Sequence, residues 1–165
     1  MNTEMNYLKI QQDVLKNWFE AITKDRVVGY KYCEDENSSY VTDNKAVFVI
    51  PKRLWLLNSN EDDLFEKIQN NNIKKVLKEP SDLREYNKTN RIEIISNGYS
   101  KPITAIVLES KDSDSLIAYL NKKYLDVFSN DCVVKGTRPD YPFFVYETRD
   151  GELALAGVVM PVISN

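Results

Sequence analysis

The pattern of apolar and polar positions predicts an amphipathic helix at the start of the chain. Over residues 5–24, apolar side chains return to one arc at about 100° per residue. The residues on this arc are Tyr7, Leu8, Val14, Leu15, Trp18, Phe19 and Ile22. Because an apolar stripe of this width is usually buried, we expect Trp18 and Phe19 to be core residues rather than a ligand platform.

Strands and a second helix are predicted to follow. Runs of β-branched and aromatic residues predict three strands. These are residues 27–33, 40–42 and 46–50. Residues 52–57 fit either a short helix or an extended edge. Residues 61–77 predict a helix with a weak apolar stripe, which the asparagines at 70–72 could interrupt.

Two hairpin signals lie in the second half of the chain. Asn97-Gly98 and Asp150-Gly151 each separate two runs of strand-forming residues, and such pairs suit tight turns because they adopt positive φ. The runs are residues 91–95 and 99–109, and residues 142–147 and 152–159. The second hairpin is the clearest structural signal in the chain.

The segment between the hairpins has two interpretations. Leu116–Tyr119 predicts a strand, with Asn121 capping a short helix over residues 122–128. The alternative is one continuous helix from Ser113. The order of helices and strands predicts an α+β fold, one domain over residues 1–165 with similar halves at about 1–85 and 86–165.

Composition removes several kinds of chemistry. The chain has no histidine, which excludes Ser-His-Asp and Cys-His catalysis and histidine metal ligands. With five glycines and no Gly-rich phosphate-binding motif, we expect no nucleotide cofactor. Without histidine or a C-x-x-C pair we expect no metal, and no residue pattern identifies catalytic residues. Cys33 and Cys132 are predicted to be buried free thiols, with a disulfide as the alternative.

Charge and hydropathy bear on location and partners. The formal net charge is −3, so a protein that simply coats nucleic acid is not expected. No apolar run approaches the roughly 20 residues of a membrane helix, and the polar, acidic N-terminus is unlike a secretory signal. We therefore expect a cytoplasmic protein without a membrane partner.

One resemblance to a known family lies mainly in the C-terminal third. The predicted order is a strand, a short helix of the N-x-x-Y-L type, a strand, a hairpin and a terminal V-V-M-P, carried by residues 116–128, 132–135 and 157–162. This order resembles the closing module of a bacterial DNA sliding clamp. A second similarity is Thr42-Asp43-Asn44-Lys45-Ala46, where clamps carry T-D-G-H-R. Here Asn44 replaces the glycine and Lys45 the histidine.

The resemblance implies a clamp fold: helices packed on curved antiparallel sheets in two related halves. It implies a non-catalytic binding or assembly module, equal to one clamp domain, that serves as an accessory of replication or of a phage or other mobile element. A protein partner or self-assembly is expected, and DNA is a further candidate partner. This chain supplies one module at most, whereas a clamp ring needs six.

The resemblance also implies binding residues. Clamps hold partner peptides in an apolar pocket, and the matching residues are Thr42, Asn44, Lys45, Ala46, Val159, Met160 and Pro161. Ordinary strand core is the alternative for Val159 and Met160. Clamp helices that face DNA are basic, and the lysines in the corresponding positions are Lys9, Lys16, Lys122 and Lys123. Their helices also carry acids, so that lining would be thin.

A carboxylate enzyme is the alternative function. The acidic clusters at 34–36 and 61–63 could serve a small hydrolase or hold Mg²⁺ without histidine. Neither cluster has a diagnostic spacing. Because acidic runs at turns and helix starts usually face solvent, we prefer the non-catalytic interpretation.

Overall fold

The chain folds into two compact units. The computed structural model describes residues 4–26, 29–57, 66–67, 69–96, 98, 101–112 and 115–163. We call Asn6–Lys78 the N-unit, and Glu79–Asn165 with Met1–Met5 the C-unit. Helices are few and nearly all strand pairs are antiparallel, so the predicted mixed α+β class is confirmed. Within the described ranges, no helix combines the length and apolarity needed to cross a membrane.

The N-unit contains a four-stranded arrangement and most of the helical residues. In chain order its elements are α1 (Tyr7–Thr23), β1 (Lys31–Glu34), β2 (Ser38–Thr42), β3 (Ala46–Pro51), a 3₁₀ turn (Lys52–Leu54), β4 (Glu66–Lys67) and α2 (Asn70–Leu77). The strand order is β4-β1-β2-β3, and among the described residues of this unit only the β1–β4 pair is parallel. For residues 52–57, the short-helix interpretation is thus the better one.

Helix α1 forms as predicted but buries a different face. Asn6 caps its N-terminus, where the side-chain oxygen accepts the Lys9 N–H at 3.0 Å. The buried residues are Ile10, Gln11, Val14 and Ala21. Four residues of the predicted arc are instead exposed: Leu8 (59%), Leu15 (41%), Phe19 (62%) and Ile22 (60%). The prediction that the whole arc, Phe19 included, packs in the core is therefore wrong.

A polar residue accounts for this orientation of α1. The Gln11 amide donates to the Leu54 carbonyl at 3.1 Å, and its oxygen accepts the Leu56 N–H at 2.6 Å. A buried amide that lost these partners would be costly, so Gln11 stays on the inner side. The arc is wider than the buried face, and its outer part therefore remains in solvent.

The second helix is shorter than predicted. It starts at Asn70 rather than at residue 61, and the prediction for Glu66–Lys67 is wrong because these residues pair with β1 as a strand. Residues 61–65 lie outside the described ranges. The asparagines do not interrupt the helix but form its first turn, where the Asn70 amide donates to the Glu34 carbonyl at 3.1 Å. Ile73 then packs in a cluster with Cys33 and Val47.

The C-unit is built from six strands and one short helix in its described residues. In chain order these are β5 (Arg84–Ile95), β6 (Ile103–Ser110), β7 (Ile117–Asn121), α3 (Lys122–Leu125), β8 (Val133–Gly136), β9 (Phe143–Arg149) and β10 (Glu152–Val159). The strand order is β10-β9-β8-β5-β6-β7, antiparallel throughout. Its core includes Phe143, which meets the Tyr86 ring edge-on at 5.0 Å.

Both predicted hairpins form. Asp150 and Gly151 have φ of 51° and 80°, the positive values that the tight β9–β10 turn requires. Strands β5 and β6 also pair, with Ile95 opposite Ile103. Strand β6 is described from Ile103, and residues 97, 99 and 100, which belong to the predicted turn and to the start of the predicted strand, lie outside the described ranges.

The region between the hairpins follows the split interpretation. Strand β7 ends at Asn121, whose side chain accepts the Lys123 N–H at 3.1 Å and so caps α3. The alternative of one continuous helix is wrong, because residues 117–121 pair with β6. The helix is shorter than the predicted 122–128.

The two cysteines are free and buried, as predicted, and the disulfide alternative is wrong. Burial raises the pKa of the Cys33 thiol to about 11. Burial also raises the pKa of Cys132, although Lys88, whose Nζ lies 3.2 Å from the sulfur, acts in the opposite direction.

Candidate functional site

The first group of predicted binding residues forms the turn between β2 and β3. Asp43 accepts the backbone N–H groups of Lys45 and Ala46, each at 3.0 Å, and the Thr42 hydroxyl accepts the Asn44 N–H at 3.0 Å. Asn44 has φ of 74°, which asparagine tolerates better than most residues. The turn therefore exposes Asn44 and Lys45 and buries Thr42 and Ala46.

The charge around this turn is mixed. Tyr30 has a raised pKa, chiefly because of burial and then because of the nearby carboxylates of Asp43 and Asp13. Its phenol therefore stays protonated at neutral pH. An exposed lysine beside an acidic turn offers a polar contact to a partner rather than a strongly basic surface.

The second group of predicted binding residues lies at the end of β10. Val159 is fully buried and pairs with Phe143, so the strand-core alternative describes this residue. Met160 is 44% exposed and is not core. Past Pro161, the chain turns back to β7, where the Val162 N–H donates to the Tyr119 carbonyl at 2.8 Å. Met160 and the half-buried Pro161 are thus the accessible members of this group.

The four predicted nucleic-acid contacts are divided between the units. On α1, Lys9 forms an ion pair with Asp13 at 2.7 Å, and Lys16 is exposed. On α3, Lys122 pairs with Asp126, and Lys123 lies 4.8 Å from the centroid of the Tyr124 ring. Neighbouring carboxylates thus offset the charge of two of the four lysines. Counterion release from DNA phosphates would be correspondingly small.

The acidic residues at 34–36 stabilise a turn between β1 and β2. The Tyr40 hydroxyl donates to Asp35 at 2.6 Å, and the N–H groups of Asn37 and Ser38 also donate to this carboxylate. The hydrogen bond from Tyr40 is the main reason that the pKa of Asp35 is lowered. A carboxyl group that acts as a general acid near neutral pH needs a raised pKa instead. The other predicted cluster, 61–63, lies outside the described ranges.

Metal binding finds no support in the described part of the chain. Among those residues, no three carboxylate or cysteine side chains converge to form a ligand set. Glu34 instead accepts the Tyr32 hydroxyl at 2.8 Å and lies 3.9 Å from Lys52. These contacts are typical of a polar surface turn.

Sequence reasoning missed one buried carboxylate. Glu147 on β9 is 3% exposed and accepts the backbone N–H groups of Met5 and Ser129, both at 3.0 Å. Both carboxylate oxygens are therefore used to hold two chain segments in the C-unit. The only available signal was that Glu147 directly follows the apolar residues 143–146, and its partners are distant in sequence.

The exposed side of α1 was also missed as a surface. Leu8, Leu15, Phe19 and Ile22 fall within about 60° of one another at 100° per residue, and we call them the outer stripe. Leu56 is 71% exposed, and its backbone N–H donates to Gln11, which holds it next to the helix. Contiguous exposed apolar side chains commonly mark an interaction site.

Comparison with protein-family models, curated proteins and solved structures finds no match to this chain. The assignment that follows from the fold is therefore the mixed α+β class with largely antiparallel strands.

Proposed function

We propose that the chain is a non-catalytic binding or assembly module whose fold is of the sliding-clamp type. The observation that carries this proposal is the order of β7, α3, β8, β9 and β10, with Asn121 capping the short helix. This is the order that the clamp resemblance implies for a closing module. The proposal includes that this chain is built, like a clamp domain, from two related halves.

The proposed ligand is an extended peptide of a protein partner. Two sets of accessible residues support peptide contacts: Asn44 and Lys45 at the β2–β3 turn, and Met160 with Pro161 after β10. A flexible methionine adapts to varied apolar side chains, and the exposed side chains of Asn44 and Lys45 can donate hydrogen bonds to the backbone carbonyls of a peptide. Each set is proposed, and tested, separately.

DNA is the less favoured ligand. Ion pairs with Asp13 and Asp126 offset Lys9 and Lys122. A protein partner in a replication or mobile-element assembly therefore fits better than direct tracking along DNA. A salt titration of DNA binding distinguishes the two, because phosphate contacts lose affinity steeply with salt and peptide contacts do not.

Titration with a synthetic clamp-binding peptide tests the proposal. In ¹⁵N-labelled protein, we expect the amide signals of Asn44, Lys45 and Met160 to shift. Met160→Ala should weaken binding by about tenfold, because it removes most of one apolar contact. Leu153→Ala is the matched control, since Leu153 is a similarly exposed apolar residue of the C-unit. Absence of shifts at both sets of residues would reject the peptide site.

A further inference from the structure

A lysine and a cysteine of the C-unit lie directly against each other. The Lys88 Nζ is 3.2 Å from the Cys132 Sγ, and the same nitrogen donates a hydrogen bond to the Asn130 carbonyl at 2.7 Å. Two atoms held about 3–3.5 Å apart are at the distance from which a bond between them can form. The lysine nitrogen is therefore positioned to react with the sulfur as well as to donate a hydrogen bond to it.

The strand register explains why these two side chains meet. Strands β5 and β8 are antiparallel, and Tyr86 pairs with Val134. Continued by two residues on each strand, the same register brings Lys88 opposite Cys132. Side chains at opposite positions of an antiparallel pair point to the same face of the sheet and lie close together. The backbone of the sheet thus holds the nitrogen and the sulfur in contact.

The second cysteine provides a comparison within the same chain. Cys33 and Cys132 are both 7% exposed, so access of a small oxidant does not distinguish them. Burial raises the pKa of Cys33 to about 11, and the carboxylates of Asp35 and Glu34 act in the same direction. Burial also raises the pKa of Cys132, but the Lys88 ammonium acts in the opposite direction. Since a peroxide oxidises the thiolate, Cys132 is the cysteine that we expect to react first.

We infer that Lys88 and Cys132 form a modification site, at which a hydroperoxide causes the lysine nitrogen to bond to the cysteine sulfur. The product is a sulfenamide, whose S–N bond joins β5 to β8 within the C-unit. This inference goes beyond the proposed function, because it depends neither on the clamp-type fold nor on the peptide contacts at Asn44 and Met160.

The reaction has two balanced steps. In the first, the Cys132 thiolate attacks one oxygen of hydrogen peroxide, the O–O bond breaks, and the departing hydroxide takes up a proton to form water. The sulfur has then lost two electrons to the peroxide and is a sulfenic acid. In the second step, the lone pair of the deprotonated Lys88 amine attacks this sulfur, the S–O bond breaks, and hydroxide leaves as water with a proton from Nζ. One thiol, one amine and one peroxide thus give one sulfenamide and two waters.

Peptide mass mapping after treatment with hydrogen peroxide tests the link in the wild-type chain. Trypsin should release residues 85–91 joined to residues 124–135, with the mass of the two peptides less two hydrogen atoms. Cys33 should remain a thiol. Excess dithiothreitol should restore the unlinked chain, because a thiol attacks the sulfur and the amine leaves. Absence of the linked peptide, a link that retains a peroxide oxygen, or equal oxidation of both cysteines would overturn the inference.

The variant Lys88→Arg tests whether the lysine nitrogen is the nucleophile. Arginine keeps the positive charge beside the sulfur but is a much weaker nucleophile. Dimedone, which traps sulfenic acids, should label Cys132 about tenfold more in Lys88→Arg than in wild type, because the adjacent amine no longer consumes the sulfenic acid. Lys135→Arg is the matched control on β8, where the lysine lies over the Tyr146 ring, and it should label like wild type. Equal labelling of Lys88→Arg and wild type would refute the role of Lys88.

Urea unfolding measures the effect of the link on the C-unit. A covalent bond between residues that are distant in sequence restricts the unfolded chain, so the oxidised wild-type protein should unfold at a higher urea concentration than the reduced protein. Dithiothreitol should reverse this shift, and peroxide should produce no such shift in Lys88→Arg. An equal shift in Lys88→Arg would contradict the S–N link, since that variant lacks the amine.

Discussion

The two units differ in how they use their large apolar side chains. In the C-unit, β9 buries four consecutive apolar residues, Phe143 to Tyr146, and then Glu147. In the N-unit, α1 leaves its outer stripe in solvent while it buries Gln11. A strand with neighbours on both sides has its side-chain directions fixed by pairing. A surface helix can rotate about its own axis, and one buried hydrogen-bonding side chain can decide the rotation.

The largest expected effect comes from truncating the same residue type in each unit. Phe143→Ala removes a fully buried ring that packs on Tyr86, and it should lower the free energy of unfolding by about 3–5 kcal/mol. Phe19→Ala, at a 62% exposed position, should change it by about 0.5 kcal/mol or less. Urea unfolding of both variants measures the difference. Comparable losses would mean that Phe19 is buried in solution.

A pair of carboxylates provides the next comparison. Glu147 in the C-unit and Asp35 in the N-unit each accept two backbone N–H groups, but Glu147 is buried and Asp35 lies at a half-buried turn. Glu147→Ala should cost about 3 kcal/mol, because two buried donors lose their partner. Asp35→Ala should cost about 1 kcal/mol, since water can replace the carboxylate there.

Unfolding free energies in urea compare these two variants. Glu147→Gln, which keeps the shape and one acceptor, should fall between wild type and Glu147→Ala. A Glu147→Ala variant as stable as Asp35→Ala would show that water reaches the Met5 and Ser129 donors.

The smallest expected effect is a pH dependence confined to the N-unit. The pKa of Asp35 is lowered in the folded state, first by its hydrogen bond from Tyr40. Such a shift stabilises the fold above the unfolded-state pKa, about 3.9, and this contribution is lost as the pH falls through the folded-state pKa. Tyr40→Phe should therefore be less stable than wild type at pH 7, by less than about 1 kcal/mol because solvent screens the pair.

The difference between Tyr40→Phe and wild type should narrow in acid. Chemical denaturation at a series of pH values between 7 and 2 measures it. Tyr141→Phe, at an exposed position in the C-unit, is the control and should parallel wild type throughout. A constant difference for Tyr40→Phe would mean that its hydroxyl does not favour the charged form of Asp35.

The sequence predicted the C-unit better than the N-unit, for physical reasons. Asp150-Gly151 and Asn121 act through local geometry, positive φ and a side-chain cap, so the sequence alone reveals them. The rotation of α1 depends on hydrogen bonds between the Gln11 side chain and backbone groups more than 40 positions away. Strand β4 likewise forms through a distant partner, β1. Such long-range contacts leave no local pattern.

The candidate site was predictable only in part for the same reason. Motif resemblance located Asn44 and Lys45 in a turn whose exposed tip follows from its Asp43 hydrogen bonds. The motif did not show that Val159 is buried and Met160 is exposed, because strand β10 ends between these two residues and their exposure differs for that reason. The partners of Glu147, Met5 and Ser129, are remote in sequence and carry no motif.

The contact between Val162 and Tyr119 has a consequence for solubility. Strand β7 is the last strand in the C-unit order, and the outer edge of such a strand is a template on which a foreign strand can grow into an aggregate. The Val162 N–H occupies one carbonyl of that edge, and the adjacent Pro161 has no N–H with which to continue a ladder. The segment after β10 therefore covers part of the β7 edge and hinders its pairing with a foreign strand. A fusion partner attached to this segment should be separated from it by a flexible spacer, so that the contact with Tyr119 is kept.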